Sequence, residues 1–171
     1  MSNHYMTQVS KQHDRKKFDC GEEPLNTFLQ NSARQHLDKG ISRTEVLCDP
    51  QDPDAIIGFT TLTLCSIVPH KDGQAASYPN ELSALKLARM AVDLKHQGRG
   101  VGKYLLLDVL KKAWQIQQYS PLQGVVVDAK NDSVVNFYKS FGFVVIDDAE
   151  DKYALMLTMA NIEELMTPPP K

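Results

Sequence analysis

The sequence predicts an α/β domain in which a mixed, mostly antiparallel sheet carries helices on its faces. Three observations lead there. Apolar runs of strand length at 85–93 and 124–129 are each followed by apolar residues at helical spacing, the succession that feeds parallel pairing. Segments 44–48 and 55–68, separated by the turn-rich DPQDPD, read as an antiparallel hairpin. The full order, β-α-β-β-β-α-β-α-β-β, uses both hairpins and crossover helices, which only a mixed sheet accommodates.

Taken in order, Tyr5–Val9 reads as a short first strand, followed by the charged cluster His13–Lys17, whose plain reading is a solvated surface. Phe18-Asp19-Cys20-Gly21 turns into a helix over 22–39, with Glu22, Glu23 and Pro24 suiting its first turn and Gly40 its stop. Leu25, Phe28, Leu29, Ala33 and Leu37 form its apolar stripe. In strand 55–68 Gly58 marks a bulge. The polar loop 69–80 joins two core strands and is expected on the surface near a ligand site. A helix runs from Val101 to about Gln118, a strand spans 124–129, and Asn131 caps a helix over 132–140. Strands at 143–146 and 153–159 flank an acidic turn at 147–152, and a helical turn at 161–166 precedes the frayed tail 167–171. No repeat or linker divides the chain, so residues 1–171 are expected to be a single domain.

Composition narrows the function. The net charge of −2 excludes a global polycation, so contact with nucleic acid requires a local patch. Cys20, Cys48 and Cys65 lack metal-ligand spacing, which favours buried thiols in a reducing cytoplasm and no metal. The first residues lack the apolar core of a signal peptide, and no run approaches membrane-spanning length.

The chemistry concentrates at 85–107. A strand ends at Ala91-Val92-Asp93, and Gln97-Gly98-Arg99-Gly100-Val101-Gly102 then leads into a helix. The first helical N–H groups have no intrahelical partner and sit at the positive end of the dipole. Glycines there let a ligand approach the backbone, which makes a phosphate cradle with Arg99 and Lys103 beside it. A P-loop fails, because Gln97 replaces its first glycine and Tyr104 its Ser/Thr. A dinucleotide fingerprint fails as well, because Lys103 stands at its third glycine. The remaining match is Q/R-x-x-G-x-G/A, and it resembles the acyl-CoA pyrophosphate loop of the GNAT superfamily of N-acetyltransferases.

The segment Asn131–Phe143 extends the resemblance, since Asn131, Phe137, Tyr138, Gly142 and Phe143 match the GNAT pattern N-x-x-x-x-x-FY-x-x-x-GF. The resemblance implies a GNAT-type sheet with helices on both faces, whose central parallel strands, 86–92 and 124–129, splay to admit the pantetheine arm of acetyl-CoA. It further implies that backbone groups of Ala91 and Val92 bind pantetheine and orient the acetyl carbonyl. Gln97, Gly98, Arg99, Gly100, Val101, Gly102 and Lys103 would hold the pyrophosphate, Asn131 would touch the CoA arm, and Tyr138 would face the thioester sulfur. The role given to Tyr138 makes chemical sense. A phenol with a pKa of about 10 is protonated at neutral pH and can donate to a departing thiolate. Its plain alternative is a core aromatic.

A wider resemblance runs through Phe18, Asp19, Cys20, Gly21, Leu25, Asn26, Phe28 and Leu29, then Ala33, Ser42-Arg43-Thr44, Ile57-Gly58-Phe59 and Leu87–Asp93. These residues are similar to the GNAT toxins of bacterial toxin–antitoxin modules. The resemblance implies acetylation of the α-amino group of aminoacyl-tRNA, a homodimer, and neutralisation by a ribbon-helix-helix antitoxin. Arg89, Lys86 and Lys95 are the candidate acceptor contacts, within a local excess of cations that includes Arg15, Lys16 and Lys17. The plain alternative for Arg89 is a salt bridge with Asp93 or a sheet neighbour. Glu45 and Asp93 are the candidate bases, although an α-amino group with a pKa of about 7.7–8.0 needs none. Two other readings stand beside this one: an acetyltransferase of small-molecule or protein amines, and a catalytically silent CoA-binding module.

Overall fold

The computed structural model describes residues 5–68, 79–149 and 152–167. The elements in order are β1 (Met6–Gln8), α1 (Glu23–Thr27), a π-helical turn (Phe28–Ser32), α2 (Ala33–Asp38), β2 (Arg43–Asp49) and β3 (Asp52–Ile67). They continue with β4 (Leu82–Val92), a 3₁₀ turn (Leu94–His96), α3 (Val101–Gln117), β5 (Gly124–Ala129) and α4 (Asp132–Lys139). Last come β6 (Val144–Ala149), β7 (Lys152–Thr158) and α5 (Met159–Met166). The strands form a seven-stranded sheet in the order β1-β2-β3-β4-β5-β7-β6. The pairs β1–β2, β2–β3, β5–β7 and β6–β7 are antiparallel, and β4–β5 is parallel, as the mixed, mostly antiparallel class requires. The parallel register runs from Leu85↔Val125 to Leu87↔Val127, while β4 itself continues to Val92.

The chain divides into two compact units, Met1–Thr63 with Ala88–Val109, and Leu64–Leu87 with Leu110–Lys171. In the first, Phe18, Phe28, Leu29, Val46, Phe59 and Ala91 form one buried apolar cluster, and Leu47, Ile57 and Leu105 a second. In the second unit, Val125, Val127, Leu155 and Leu157 are buried on paired positions of β5 and β7. Val126 is buried too, so β5 is covered on both faces as a central strand must be.

Three expectations about elements need correction. The helix predicted over 22–39 is interrupted by the π turn, where the Ala33 N–H bonds the Phe28 carbonyl. The added residue lets the neighbours Phe28 and Leu29 both face the core together with Ala33, a wider apolar face than a regular helix offers. The acidic segment predicted as a turn begins as strand, with Asp147 opposite Ala154 and Asp148 opposite Tyr153. On an edge strand acids face water at little cost and discourage pairing with another edge. The helix at the end starts at Met159, capped by the Thr158 side chain, where strand was expected to continue. The loop 69–80 lies almost wholly outside the described residues, as do 150–151 and 168–171.

The bulge marked by Gly58 is present. The register passes from Leu47↔Gly58 to Cys48↔Ile56 and leaves Ile57 as the extra residue. The Ile57 carbonyl then accepts the Asp93 N–H at 2.8 Å, which ties down the end of β4. A Cβ on Gly58 would lie 2.9 Å from the Ala91 carbonyl oxygen and 3.0 Å from Leu105. Glycine is therefore what allows β3 to approach β4 and α3 this closely.

Candidate active site

The cradle begins where β4 ends. Asp93 is 7% exposed, and its two oxygens take backbone donors: Oδ1 accepts from Lys95 N at 3.0 Å and Oδ2 from Asp19 N at 3.2 Å. The first bond caps the 3₁₀ turn, and the second fastens it to the Phe18–Gly21 segment. That segment is itself cross-braced. Asp19 Oδ1 accepts from Gly21 N at 2.8 Å and from Asn26 Nδ2 at 2.9 Å, while Asn26 Oδ1 accepts from Cys20 N at 2.9 Å. These bonds hold the Asp19 carboxyl below the usual carboxylate range. The Leu94 N–H donates to the Asp19 carbonyl at 2.8 Å. Gln97 completes the clamp, its Nε2 donating to the carbonyls of Cys20 at 3.0 Å and Val92 at 2.9 Å.

The loop released from this clamp is exposed. Gly98 has φ +71° and Gly100 φ +82°, left-handed values that favour glycine, and a Cβ at either would meet nothing within 4 Å. The first bond of α3 runs from Tyr104 N to the Gly100 carbonyl at 3.1 Å. The amides of Val101, Gly102 and Lys103 are thus the leading N–H groups of a 17-residue helix. Arg99 and Lys103 are exposed beside them. Open space above left-handed glycines, at a positive helix end flanked by two cations, fits a pyrophosphate.

The second unit carries Tyr138 on α4, 6% exposed. Its ring meets Phe137 edge-on at 5.2 Å and Phe143 at 5.3 Å. Burial pushes its phenol up to about 12, so it keeps its proton at neutral pH. Asn131 caps α4, with Oδ1 accepting from Val134 N at 3.0 Å.

The structure gives the candidate acceptor residues unequal freedom. Lys86 Nζ lies 2.8 Å from Asp128 Oδ2, which also meets Lys152 Nζ at 3.0 Å. The Asp128 carboxyl stays below its ordinary range because the two ammonium groups outweigh an opposing desolvation. The Arg89 guanidinium lies 3.7 Å above the centre of the Phe28 ring, a cation–π contact, and burial lowers its pKa. The oxygens of Asp93 are occupied as described, and Glu45 lies half-buried on β2 opposite Thr60. Lys95 is exposed. Arg89, Ala91, Val92, Lys95 and the loop 97–103 belong to the first unit, and Lys86, Asn131 and Tyr138 to the second.

Sequence reasoning missed Asp19 and Asn26 as supports of the cradle, and Asp128 as the partner of Lys86. The Asp-x-Gly spacing at Asp19–Gly21, which suits a side-chain-to-backbone turn, was the signal for the first. Among the described residues no group of His, Cys, Asp and Glu side chains is placed to hold a metal ion. No helix among them is long and apolar enough to cross a membrane.

Residues 47–145, which take in the cradle and Tyr138, match the model of the GNAT acetyltransferase domain, and the chain belongs to that family of acetyltransferases. Within it, the chain is 30% identical over 161 residues to the tRNA-acetylating toxin of Mycobacterium tuberculosis, covering 92% of this chain and 93% of that one. Among solved structures it is similar to AtaT complexed with acetyl-methionyl-tRNAfMet, with TM-score 0.84 and 30% identity, covering 96% of this chain and 100% of the other. It is also similar to a tyrosine-to-phenylalanine mutant of the AtaT toxin bound to the C-terminus of the antitoxin AtaR and acetyl-CoA. There the TM-score is 0.83 and the identity 26%, covering 96% and 99% of the two chains.

Proposed function

We propose that this acetyltransferase moves the acetyl group of acetyl-CoA onto the α-amino group of an aminoacyl-tRNA, and that it acts as a translation-blocking toxin. The observation that carries this reading is the likeness, over nearly the whole chain, to AtaT complexed with acetyl-methionyl-tRNAfMet. Acetyl-CoA supplies an activated acetyl thioester. The leading amides of α3, with Arg99 and Lys103, bind its pyrophosphate, and Gly98 and Gly100 keep their surroundings open. Gln97 acts through the loop backbone, because both its amide hydrogens are spent on carbonyls. Backbone groups of Ala91 and Val92 orient the acetyl carbonyl, and Asn131 contributes to the CoA arm from the cap of α4.

The acceptor amine attacks directly. Its pKa of about 7.7–8.0 as a free α-amino group, lowered further by esterification, leaves enough neutral amine that no side-chain base is needed. Asp93 is therefore a positioning residue of the 3₁₀ turn. Tyr138 donates the proton that the departing sulfur takes up. Of the acceptor contacts, Arg89 and Lys95 bear the larger share, since the Lys86 charge is divided with Asp128. The likeness to AtaT bound to the C-terminus of the antitoxin AtaR supports control by an antitoxin, and we extend the proposal to a cytoplasmic homodimer whose antitoxin is of the ribbon-helix-helix class.

The test is acetyl transfer from labelled acetyl-CoA to bulk charged tRNA, with polyamines and peptide amines in parallel. Label on aminoacyl-tRNA alone is the expected result. Transfer only to the small amines overturns the tRNA reading, and acetyl-CoA binding without transfer to any of them identifies a silent module.

A further inference from the structure

A cleft of about 900 Å³ opens within the first compact unit, lined in part by the 3₁₀ turn that precedes the glycine loop. One wall is the segment 11–18, and the facing residues come from the π turn, the start of β3 and the 3₁₀ turn. The charged segment is fixed to its surroundings. Arg15 Nη1 donates to the Gln30 carbonyl at 2.7 Å, Asp14 N donates to the Asp54 carbonyl at 2.8 Å, and Ser10 N donates to His13 Nδ1 at 2.9 Å. Lys11 and Lys16 are exposed on this wall, and exposed Lys95 also lines the cleft.

One donor at the cleft wall is unused. Arg15 Nε is buried and has no hydrogen-bond partner among the described residues, while His96 Nδ1 faces Asp93 Oδ1 at 3.7 Å. An arginine Nε–H is an obligate donor, so its burial calls for an acceptor. The acids of the cleft are unevenly engaged. Asp14 is paired with Lys17 at 2.8 Å, and Asp93 is occupied by backbone N–H groups, while Asp52 and Asp54 remain exposed. The lining thus combines a directional guanidinium donor with lysines spread along the rim. One phosphate would be served by Arg15 alone, whereas spaced lysines match a chain of phosphates.

We propose that this cleft seats the sugar–phosphate backbone of the acceptor tRNA, using Arg15 as the directional contact and Lys11, Lys16 and Lys95 as phosphate neutralisers. The proposal rests on the aminoacyl-tRNA reading above. Asp52 and Asp54 oppose the RNA charge and limit the affinity, which gives the proposal a second, opposite sign to test.

The experiment titrates deacylated bulk tRNA against the full chain across a salt series, with acetylation of charged tRNA measured alongside. The double variant Lys11→Ala/Lys16→Ala should bind about tenfold more weakly near 0.1 M salt, with its log–log salt slope reduced by about 1.5. Its KM for charged tRNA should rise with kcat and acetyl-CoA affinity unchanged. Asp52→Asn should bind tRNA more tightly than the wild type. Unchanged affinity and slope in the double variant, beside an active wild type, overturn the cleft and leave the tRNA reading standing. Loss of tRNA binding on adding millimolar inorganic phosphate at constant ionic strength overturns it in favour of a single-phosphate pocket. A wild type that acetylates other amines but no charged tRNA removes the acceptor reading, and the cleft proposal falls with it.

Discussion

The cradle and Tyr138 are held in place by different forces. The loop at 97–103 is set by directional bonds from Asp19, Asn26, Asp93 and Gln97, all side chains that reach backbone groups or one another. Tyr138 is set by aromatic packing against Phe137 and Phe143. Hydrogen bonds fix angles and fail one at a time, each worth about 0.5–1.5 kcal/mol net. Packing is collective, so it tolerates loss of a hydroxyl and resists loss of a ring. On the proposed function, the region that would present amides to a charged group is thus built for orientation, and the region that would keep a proton is built for exclusion of water.

Three variants test that contrast. The largest effect is expected of Gly100→Asp. It forces a side chain into a left-handed position and puts a carboxylate beside the leading amides of α3, the proposed pyrophosphate site. Calorimetric titration should show acetyl-CoA binding lost while circular dichroism stays native, and normal affinity would remove the loop from the site.

Next is Tyr138→Phe, which keeps the ring contacts and deletes the proton. Turnover should fall by about 10²–10⁴-fold with acetyl-CoA affinity little changed. A rate within twofold of wild type, read by thiol release, would make Tyr138 a packing residue only.

The same substitution exposes a pH effect. The folded phenol, at about 12, lies above its unfolded value near 10, so burial of the neutral form stabilises the protein fully below pH 10. That contribution is lost as pH rises from 10 towards 12, by about 2–3 kcal/mol in all. Urea unfolding at pH 8 and pH 11 should show a decline in the wild type that is smaller in Tyr138→Phe. Parallel declines would contradict the burial argument.

Asn26→Ala should have the smallest effect. It removes a donor to Asp19 and an acceptor for Cys20 N, costing about 1–3 kcal/mol of stability. Acetyl-CoA affinity should weaken several-fold through the loosened clamp while the turnover of bound substrate is kept. A stability loss with unaltered affinity would uncouple the Phe18–Gly21 turn from the cradle.

Much of this arrangement is legible in the sequence because it is local. The strand β5 is found at its expected bounds, and α3 and α4 to within a residue, since period and capping lie within each segment. Gly58 is readable as a bulge for the same reason. The clamp is not local: Asp19 N and Asp93 Oδ2 are 74 residues apart, and no periodic pattern links them. The π turn is hidden because its apolar stripe satisfies a regular helix equally well. Aspartates at 147–148 read as a turn when their preference is taken alone, and only their place on an edge strand makes them strand residues. Lys86 and Lys95 look alike as letters, yet one is tied to Asp128 and the other is exposed.

The two bonds made by Gln97 restrict the genetic alphabet at that position. Both go to carbonyl oxygens, so the site demands a side chain that donates twice and accepts nothing. Glutamate, one nucleotide away and nearly the same shape, would aim a carboxylate at two carbonyl dipoles. Asparagine is a methylene short of the same reach. Arginine alone among the larger residues brings surplus donors in a fixed fork, which accounts for the Q/R alternative with which the loop motif begins. A drift from glutamine to arginine is therefore open to this lineage, and it must bypass glutamate.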